Sequence, residues 1–403
     1  MIFYTLTPRQ EVIDAAHNAG AKIVPVANAQ FLSSLESFDG ETVEVHDPLD
    51  ALSVVRALEP FVSAKGEPSN ALCVGLGDDT SQVAALVNSA LGLAEGKFAS
   101  FTSLEIMRDK HRLREALPEG SPINGLHWML DLTTVTDARL QDFFRQTQHG
   151  LVLKPNSGSG SRDVRSVVSE TELRDLALEP GQYLVEQRFV GPEFSVETIS
   201  WEGQHRPLVV TEKVTGGITG LVETEHHQPA RISHESRDRL FDAARTVLDS
   251  AYYQFGLSHI EFILEDGQPR LIEAHGRVGG DHIADLMEWS VGATAFDILF
   301  SAYELQRLPN DEPRGEQSAV FFPDLRNCPY TDEQWLSIVH QHEDVQDAGL
   351  LKTADSRGPI SCSADRHAYV VLSGQGFPRP VSHFETRKRS HENSCSYTAA
   401  KTL

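Results

Sequence analysis

An α/β fold built from several units is predicted by three features of this sequence. Apolar, strand-like stretches alternate with amphipathic, helix-length stretches over about the first 97 residues. A Gly/Ser loop follows directly on an apolar strand near residue 155, and two apolar segments flank a tight turn near residue 266. At 403 residues the chain exceeds one ordinary core, so two to four domains are expected.

The elements follow in order. "MIFYTL" reads as a strand, Thr7-Pro8 opens a helix through Ala19 that Gly20 stops, and "AKIVPVA" and "ALCVGLG" are further strands. "DDTSQVAALVNSALGL" is an amphipathic helix capped by Asp79 or Thr80. This alternation gives a parallel, Rossmann-like sheet over residues 1–97. "GLGDDT" lacks the third glycine of a dinucleotide fingerprint, so no dinucleotide is placed there. "TSLEIMRDKHRLREAL" reads as one helix with Leu104, Met107, Leu113 and Leu117 near one face. "GLVLKP" and "SVV" are strands around the loop "NSGSGSRDV", and "SETELRDLAL" is a helix with a Ser169/Glu172 capping box. "QYLVEQRFV" and "EFSVETISW" are strands, and "GLSHIEFILEDGQPRLIEAHGR" is a hairpin turning at Glu265-Asp266-Gly267-Gln268. A single helix is expected over "IADLMEWSVGATAFDILFSAYEL", a boundary at "QRLPNDEPRGEQ", and a mostly β segment from "SAVFFPDLR". The tail from about Glu385 has no periodicity and reads as disordered.

The formal net charge of -23 argues against nucleic acid or an anionic membrane as the main partner, and serves solubility first. Cys73, Cys328, Cys362 and Cys395 show no metal or disulfide-framework spacing, which fits a reducing, cytoplasmic setting. The opening "MIFYTLTPRQEV" lacks the basic and apolar regions of a signal peptide. No apolar run approaches the roughly 20 residues of a membrane span.

Several stretches carry groups suited to chemistry. Lys154 ends a strand and meets the Gly/Ser loop, whose backbone N–H groups and hydroxyls can converge on an anion while the lysine supplies charge. A flexible connection beside an exposed lysine is the plain alternative. Glu261 and Glu273 lie on the two hairpin strands, where opposed side chains come within about 5 Å. Two buried anions need a positive partner, and magnesium suits carboxylate oxygens; a solvated sheet face is the alternative. Arg277 follows closely. Glu186 and Glu193 flank a Val190-Gly191-Pro192 break, a hinge where a base and ribose could lie. "LVETEHHQPA" gathers Glu223, Glu225, His226 and His227 in what reads as a loop.

In this order the pieces resemble the ATP-grasp superfamily, and in particular its carboxylate–amine ligases of the L-amino-acid ligase, or dipeptide synthetase, type. The "RDK" helix, "LVLKPNSGSGS", "VEQRFVGPEFSVE", "VETEHHQPA", "GLSHIEF…LIEAHGRVGGDHI" and the late "ADSRGPISCSADRHAYVVLSGQ" carry the likeness, from residue 1 to about 375. The resemblance implies an ATP-grasp domain over 98–306 with its lid at about 122–186, a small mostly β domain over 307–385, and a disordered tail at 386–403. It implies ATP phosphates held by Lys110 and Lys154 under a lid loop of Ser157, Gly158, Ser159, Gly160 and Ser161. Adenine would meet Glu186, Gln187, Phe189 and Val190, and the ribose Glu193. Two magnesium ions, with manganese as an alternative, would sit on Glu261 and Glu273, with His275 in the same group. Relatives commonly have asparagine at the His275 position, and imidazole is the less natural magnesium ligand, so His275 can instead turn toward a phosphate or the substrate. Arg277 would face the transferred phosphoryl group. Glu223, His226, Gly279 and Gly280 would meet the substrates, with His226 also a candidate base.

The implied reaction activates a small-molecule carboxylate as an acylphosphate and joins it to the amine of an amino acid, in a cytoplasmic enzyme for which the resemblance also implies a homodimer. An ATP-grasp carboxylase or nucleotide-pathway synthetase, and a non-catalytic nucleotide-binding protein of the same fold, are the alternatives.

Overall fold

The computed structural model describes residues 1–35, 38–66, 68–131, 137–156, 163–217, 220–309 and 315–374. The predicted lid loop from Ser157 to Ser161 and the tail after residue 374 lie outside these. A parallel sheet comes first: β1 (Ile2–Leu6), β2 (Lys22–Ala27), β3 (Val43–Glu44) and β4 (Ala71–Val74), in the order β3-β2-β1-β4. Helices α1 (Gln10–Asn18), α2 (Ala29–Ser33), α3 (Ala51–Lys65) and α4 (Asp78–Leu91) connect or follow its strands. Two departures from the sequence reading occur here. α2, β3 and α3 were not expected, and the N-cap of α4 is Gly77, whose N–H donates to the Thr80 hydroxyl at 2.9 Å.

The helix expected over 102–117 is two: α5 (Phe101–Arg108) and α6 (Lys110–Ala116). Asp109 breaks it with ψ 104°, and its carboxylate accepts the Arg112 N–H at 2.9 Å, so a capping residue overrides a continuous helical pattern. Leu104, Met107, Leu113 and Leu117 are all buried.

A second, antiparallel sheet runs in the order β5-β8-β6-β7, from β5 (His127–Asp131), β6 (Leu151–Pro155), β7 (Arg165–Val167) and β8 (Gln182–Gln187), with α7 (Asp137–Gln146) and α8 (Glu170–Arg174) alongside. Ser169 caps α8 as expected, but Glu172 reaches back to the Val168 N–H and α8 ends early, at Arg174.

The third sheet has eight antiparallel strands: β13-β12-β9-β10-β11-β14-β16-β15. They are β9 (Glu193–Trp201), β10 (Gln204–Gly216), β11 (Val222–Gln228), β12 (Gly256–Glu265), β13 (Gln268–His275), β14 (Ser318–Phe321), β15 (Val345–Leu350) and β16 (Ala368–Ser373). α9 (His234–Ser250) packs against one face. The helix expected over 283–305 is again two, α10 (Ile283–Ser290) and α11 (Ala295–Leu305): Gly292 takes φ 92° and Thr294 starts a new capping box with Asp297. α12 (Asp332–Val339) lies against β15. "VETEHHQ" is a strand, β11, paired on both sides, rather than a loop; cross-strand pairing outweighs its polar composition.

The period of two decides what this sheet presents. Val196, Val210, Ile260 and Ala274 turn to the core with Leu240, Ala244 and Val247 of α9. The alternate positions therefore place Glu197, Lys213, His259, Glu261, Glu273 and His275 on the other face.

Candidate functional site

Register assembles that polar face. On the hairpin Glu261 lies opposite Glu273 and His259 opposite His275. On the next pairing Glu197 lies opposite His259, and one strand further Glu193 lies opposite Lys213. Gly279 runs close behind: a Cβ there would meet His259 Nδ1 at 2.9 Å and Ile283 Cγ2 at 2.8 Å, so only glycine fits.

Around Glu261 the partners come from the same sheet. Lys213, buried, donates to Glu261 and lies 3.1 Å from Glu223. His259 meets Glu197 through Nδ1 at 2.7 Å and Glu261 through Nε2 at 2.8 Å. Both ring nitrogens face carboxylates, so the ring is an imidazolium. Burial alone would lower its pKa, yet Glu197 and Glu261 lift it to about 9. Burial would likewise raise Glu261, and the Lys213 charge holds it well below the usual carboxylate range.

Glu273 is held from elsewhere. Lys110, the first residue of α6, is 3.2 Å from it, and His275 Nε2 also lies at 3.2 Å. The other ring nitrogen of His275 meets Asp78 at 2.9 Å, and Arg277 donates from Nη2 to the same Asp78 at 2.8 Å, with its Nε also 2.8 Å from that carboxylate. Asp78 opens α4 after the last strand of the parallel sheet. Here His275 donates from both nitrogens and offers no lone pair; burial works against its charge, and Asp78 and Glu273 raise its pKa. Two opposed carboxylates are a hard-oxygen donor pair that fits a magnesium-sized divalent cation, whose charge would take over from the lysines.

Glu186 is buried between Arg114 Nε at 2.6 Å and Lys154 Nζ at 3.0 Å. Burial would raise its pKa, and these two cations hold it at about 2. Arg114 also donates to the Leu271 and Ile272 carbonyls at 2.9 and 2.7 Å, tying α6 to β13. Beyond Glu186, the Gln187 N–H donates to the Leu126 carbonyl, Phe189 packs on Gly125, and the Val190 N–H donates to Glu265 at 3.0 Å. Glu193 has its pKa pushed up to about 7, by burial first and by the Glu261 and Glu223 charges, against the pull of Lys213.

At the other end Arg366 is buried and clamps Glu223 at 3.0 Å and Asp281 at 2.7 Å, its guanidinium 4.0 Å above the Phe322 ring. Asp281 and His282 take left-handed φ of 52° and 65° after Gly279 and Gly280, turning the chain into α10. Among the described residues neither ring nitrogen of buried His226 has a hydrogen-bond partner, and burial, with Lys213 and Arg366 nearby, holds its pKa well below the ordinary value.

Predicted residues thus gather in two groups: Lys110, Glu273, His275 and Arg277 with Glu261, and Lys154 with Glu186. Sequence reasoning missed Asp78, Arg114, Glu197, Lys213, His259 and Arg366. Lys213 and Glu197 did carry a signal, being charges at alternate positions of strongly apolar strands. Asp78 and Arg366 carried none, since their roles arise only when distant segments meet.

Residues 147–285 match the family model of the ATP-grasp domain. A D-alanine–D-alanine ligase of Christiangramia forsetii is 30% identical over 137 residues, which cover 32% of this chain and 42% of that protein. The chain spans about half the length of the curated relatives it matches. Among solved structures, an L-amino acid ligase from Bacillus licheniformis superposes with a TM-score of 0.70 at 18% identity, covering 93% of this chain and 94% of that one. A phosphoribosylglycinamide synthetase from Anaerococcus prevotii gives 0.66 at 12% identity, covering 93% and 94%. The fold is that of these two solved proteins. Among the described residues no helix is long and apolar enough to cross a membrane.

Proposed function

We propose that this chain, with an ATP-grasp domain at residues 147–285, is an ATP-dependent carboxylate–amine ligase that forms an amide bond and releases ADP and phosphate. One observation carries the reading: Glu261 and Glu273 face each other on one side of the sheet, with Lys110 and the Arg277–Asp78 pair beside them. That is a site for gathering phosphate charge.

A carboxylate resists attack by an amine until its oxygen becomes a leaving group, and the γ-phosphoryl of ATP supplies one as an acylphosphate. Phosphoryl transfer asks chiefly for positioning and charge neutralisation. Magnesium held by Glu261 and Glu273 would polarise phosphate oxygens when bound. Lys110 and Lys154 then exchange their carboxylate partners for phosphate oxygens, and Arg277 leaves Asp78 for the transferred group. His275 and His259 keep the two acids oriented. Glu186 and the 187–190 backbone take the base, Glu193 the ribose hydroxyls. The antiparallel sheet of β5 to β8 acts as the lid that keeps water from the acylphosphate. Glu223, fixed by Lys213 and Arg366, marks the amine end of the substrate site. His226, kept neutral by burial and the nearby cations, is the candidate base for the amine's proton. The substrates are small carboxylic and amino acids, and the setting is cytoplasmic.

The test is ADP and phosphate release from ATP and magnesium across pairs of amino and carboxylic acids, with mass spectrometry of the product. A condensed amide is expected, and loss of release in Glu273→Gln and Arg277→Ala, each still folded. Carboxylation of an acceptor by bicarbonate, or normal turnover in either variant, would overturn the proposal.

A further inference from the structure

We propose that His111, Glu115 and His127 form a second cation site, apart from the acid pair, for a transition-metal ion of the zinc class. Among the described residues they are the one group of three His, Cys, Asp or Glu side chains whose candidate donor atoms all lie within 4.8 Å of one another. His111 and Glu115 stand four apart on α6, hence on one face of it, and His127 opens β5 opposite them.

The hydrogen bonding is short of one positive centre. His127 Nδ1 meets the Gly125 carbonyl at 3.0 Å, while Nε2 meets Glu115 Oε1 at 2.9 Å. A neutral imidazole donates from one nitrogen only, so two facing acceptors call for an extra proton or a metal ion. The carbonyl fixes the tautomer in the way that outer partners of metal-bound histidines do, leaving Nε2 to coordinate. The His111 ring lies 6.0 Å from the His127 ring, and among the described residues its buried Nδ1 has no hydrogen-bond partner. Two imidazoles and a carboxylate are a donor set that zinc accepts with its fourth position open, whereas magnesium prefers oxygen alone. Tetrahedral donors on bonds of about 2.0–2.1 Å sit about 3.4 Å apart, and the three donor atoms here already lie within 4.8 Å of one another, so side-chain shifts of about 1–2 Å close the site.

Its place gives it a consequence. His127 is the strand partner of Glu186, and Glu115 adjoins Arg114, which binds Glu186. A cation here bolts the sheet bearing Lys154 and Glu186 to the helix bearing Lys110 and Arg114. The assignment does not rest on the ligase reading.

The experiment titrates chelator-stripped full-length protein with cobalt(II), then zinc, following the visible cobalt bands and competition with a chromophoric chelator. One equivalent is expected, with cobalt bands typical of a low-coordinate nitrogen and oxygen site, displaced by zinc. His127→Ala should weaken binding by more than the roughly tenfold that even an outer partner contributes. Glu115→Gln, on the exposed arm of the site, repeats the test in a variant that keeps the fold. Glu261→Gln should leave the binding intact. Absence of a stoichiometric site, or loss of it in Glu261→Gln and not in the His127 and Glu115 variants, overturns the proposal.

Discussion

Glu261 is held by Lys213 and His259 from its own sheet, whereas Glu273 is held by Lys110 from a helix and, through His275, by Asp78 from the parallel sheet. The first arrangement is fixed by strand register and survives any shift of the outer elements. The second depends on separate elements being docked: α6 brings Lys110, and the parallel sheet brings Asp78, which lies 197 residues before His275 in the chain. One acid is therefore set by the sheet, and its opposite number by the packing of separate elements.

Breaking the sheet-side partnership should have the largest effect. Lys213→Met leaves Glu223 and Glu261 short of a buried cation, and loss of one partner from such a cluster costs about 3–5 kcal/mol. Urea unfolding of the ligand-free protein is expected to show this, with part of the loss recovered on adding magnesium. Asp78→Asn removes the counter-charge of Arg277 and His275 but breaks contacts nearer solvent, and about 1–3 kcal/mol is expected by the same measurement. A larger loss for Asp78→Asn than for Lys213→Met would reverse the comparison. The smallest effect concerns Glu193. Its folded pKa of about 7 lies above the 4.5 of an ordinary glutamate, so the folded chain keeps a proton that the unfolded chain releases. That difference favours folding at low pH and fades as pH rises through about 7. Glu193→Gln should thus raise Tm by about 2–4 °C at pH 8 and leave it unchanged near pH 4.

Much of this was legible in the chain itself. The hairpin turn at Asp266-Gly267, with both residues at positive φ, and the acids on its strands followed from local pattern. So did the alternation that sorts apolar Val196 and Ile260 from polar Glu197 and Glu261. Helix breaks were less legible: Asp109 and Thr294 interrupt helical patterns because each side chain accepts a backbone N–H, a local competition that apolar spacing does not register. β11 was misjudged since its polar residues are matched by partners, Lys213 and Arg366, that only the folded sheet brings near.

Arg366 and Asp78 give the family-matched segment a practical boundary problem. Residues 147–285 contain both acids with Glu186 and Glu223, yet the groups that steady these carboxylates and the nearby His275 include Asp78, Lys110 and Arg114 upstream and Arg366 downstream. Excised by itself, that stretch would keep its recognisable text and shed the charges that make it coherent. Anyone grafting this module into another protein must carry four foreign side chains along with it.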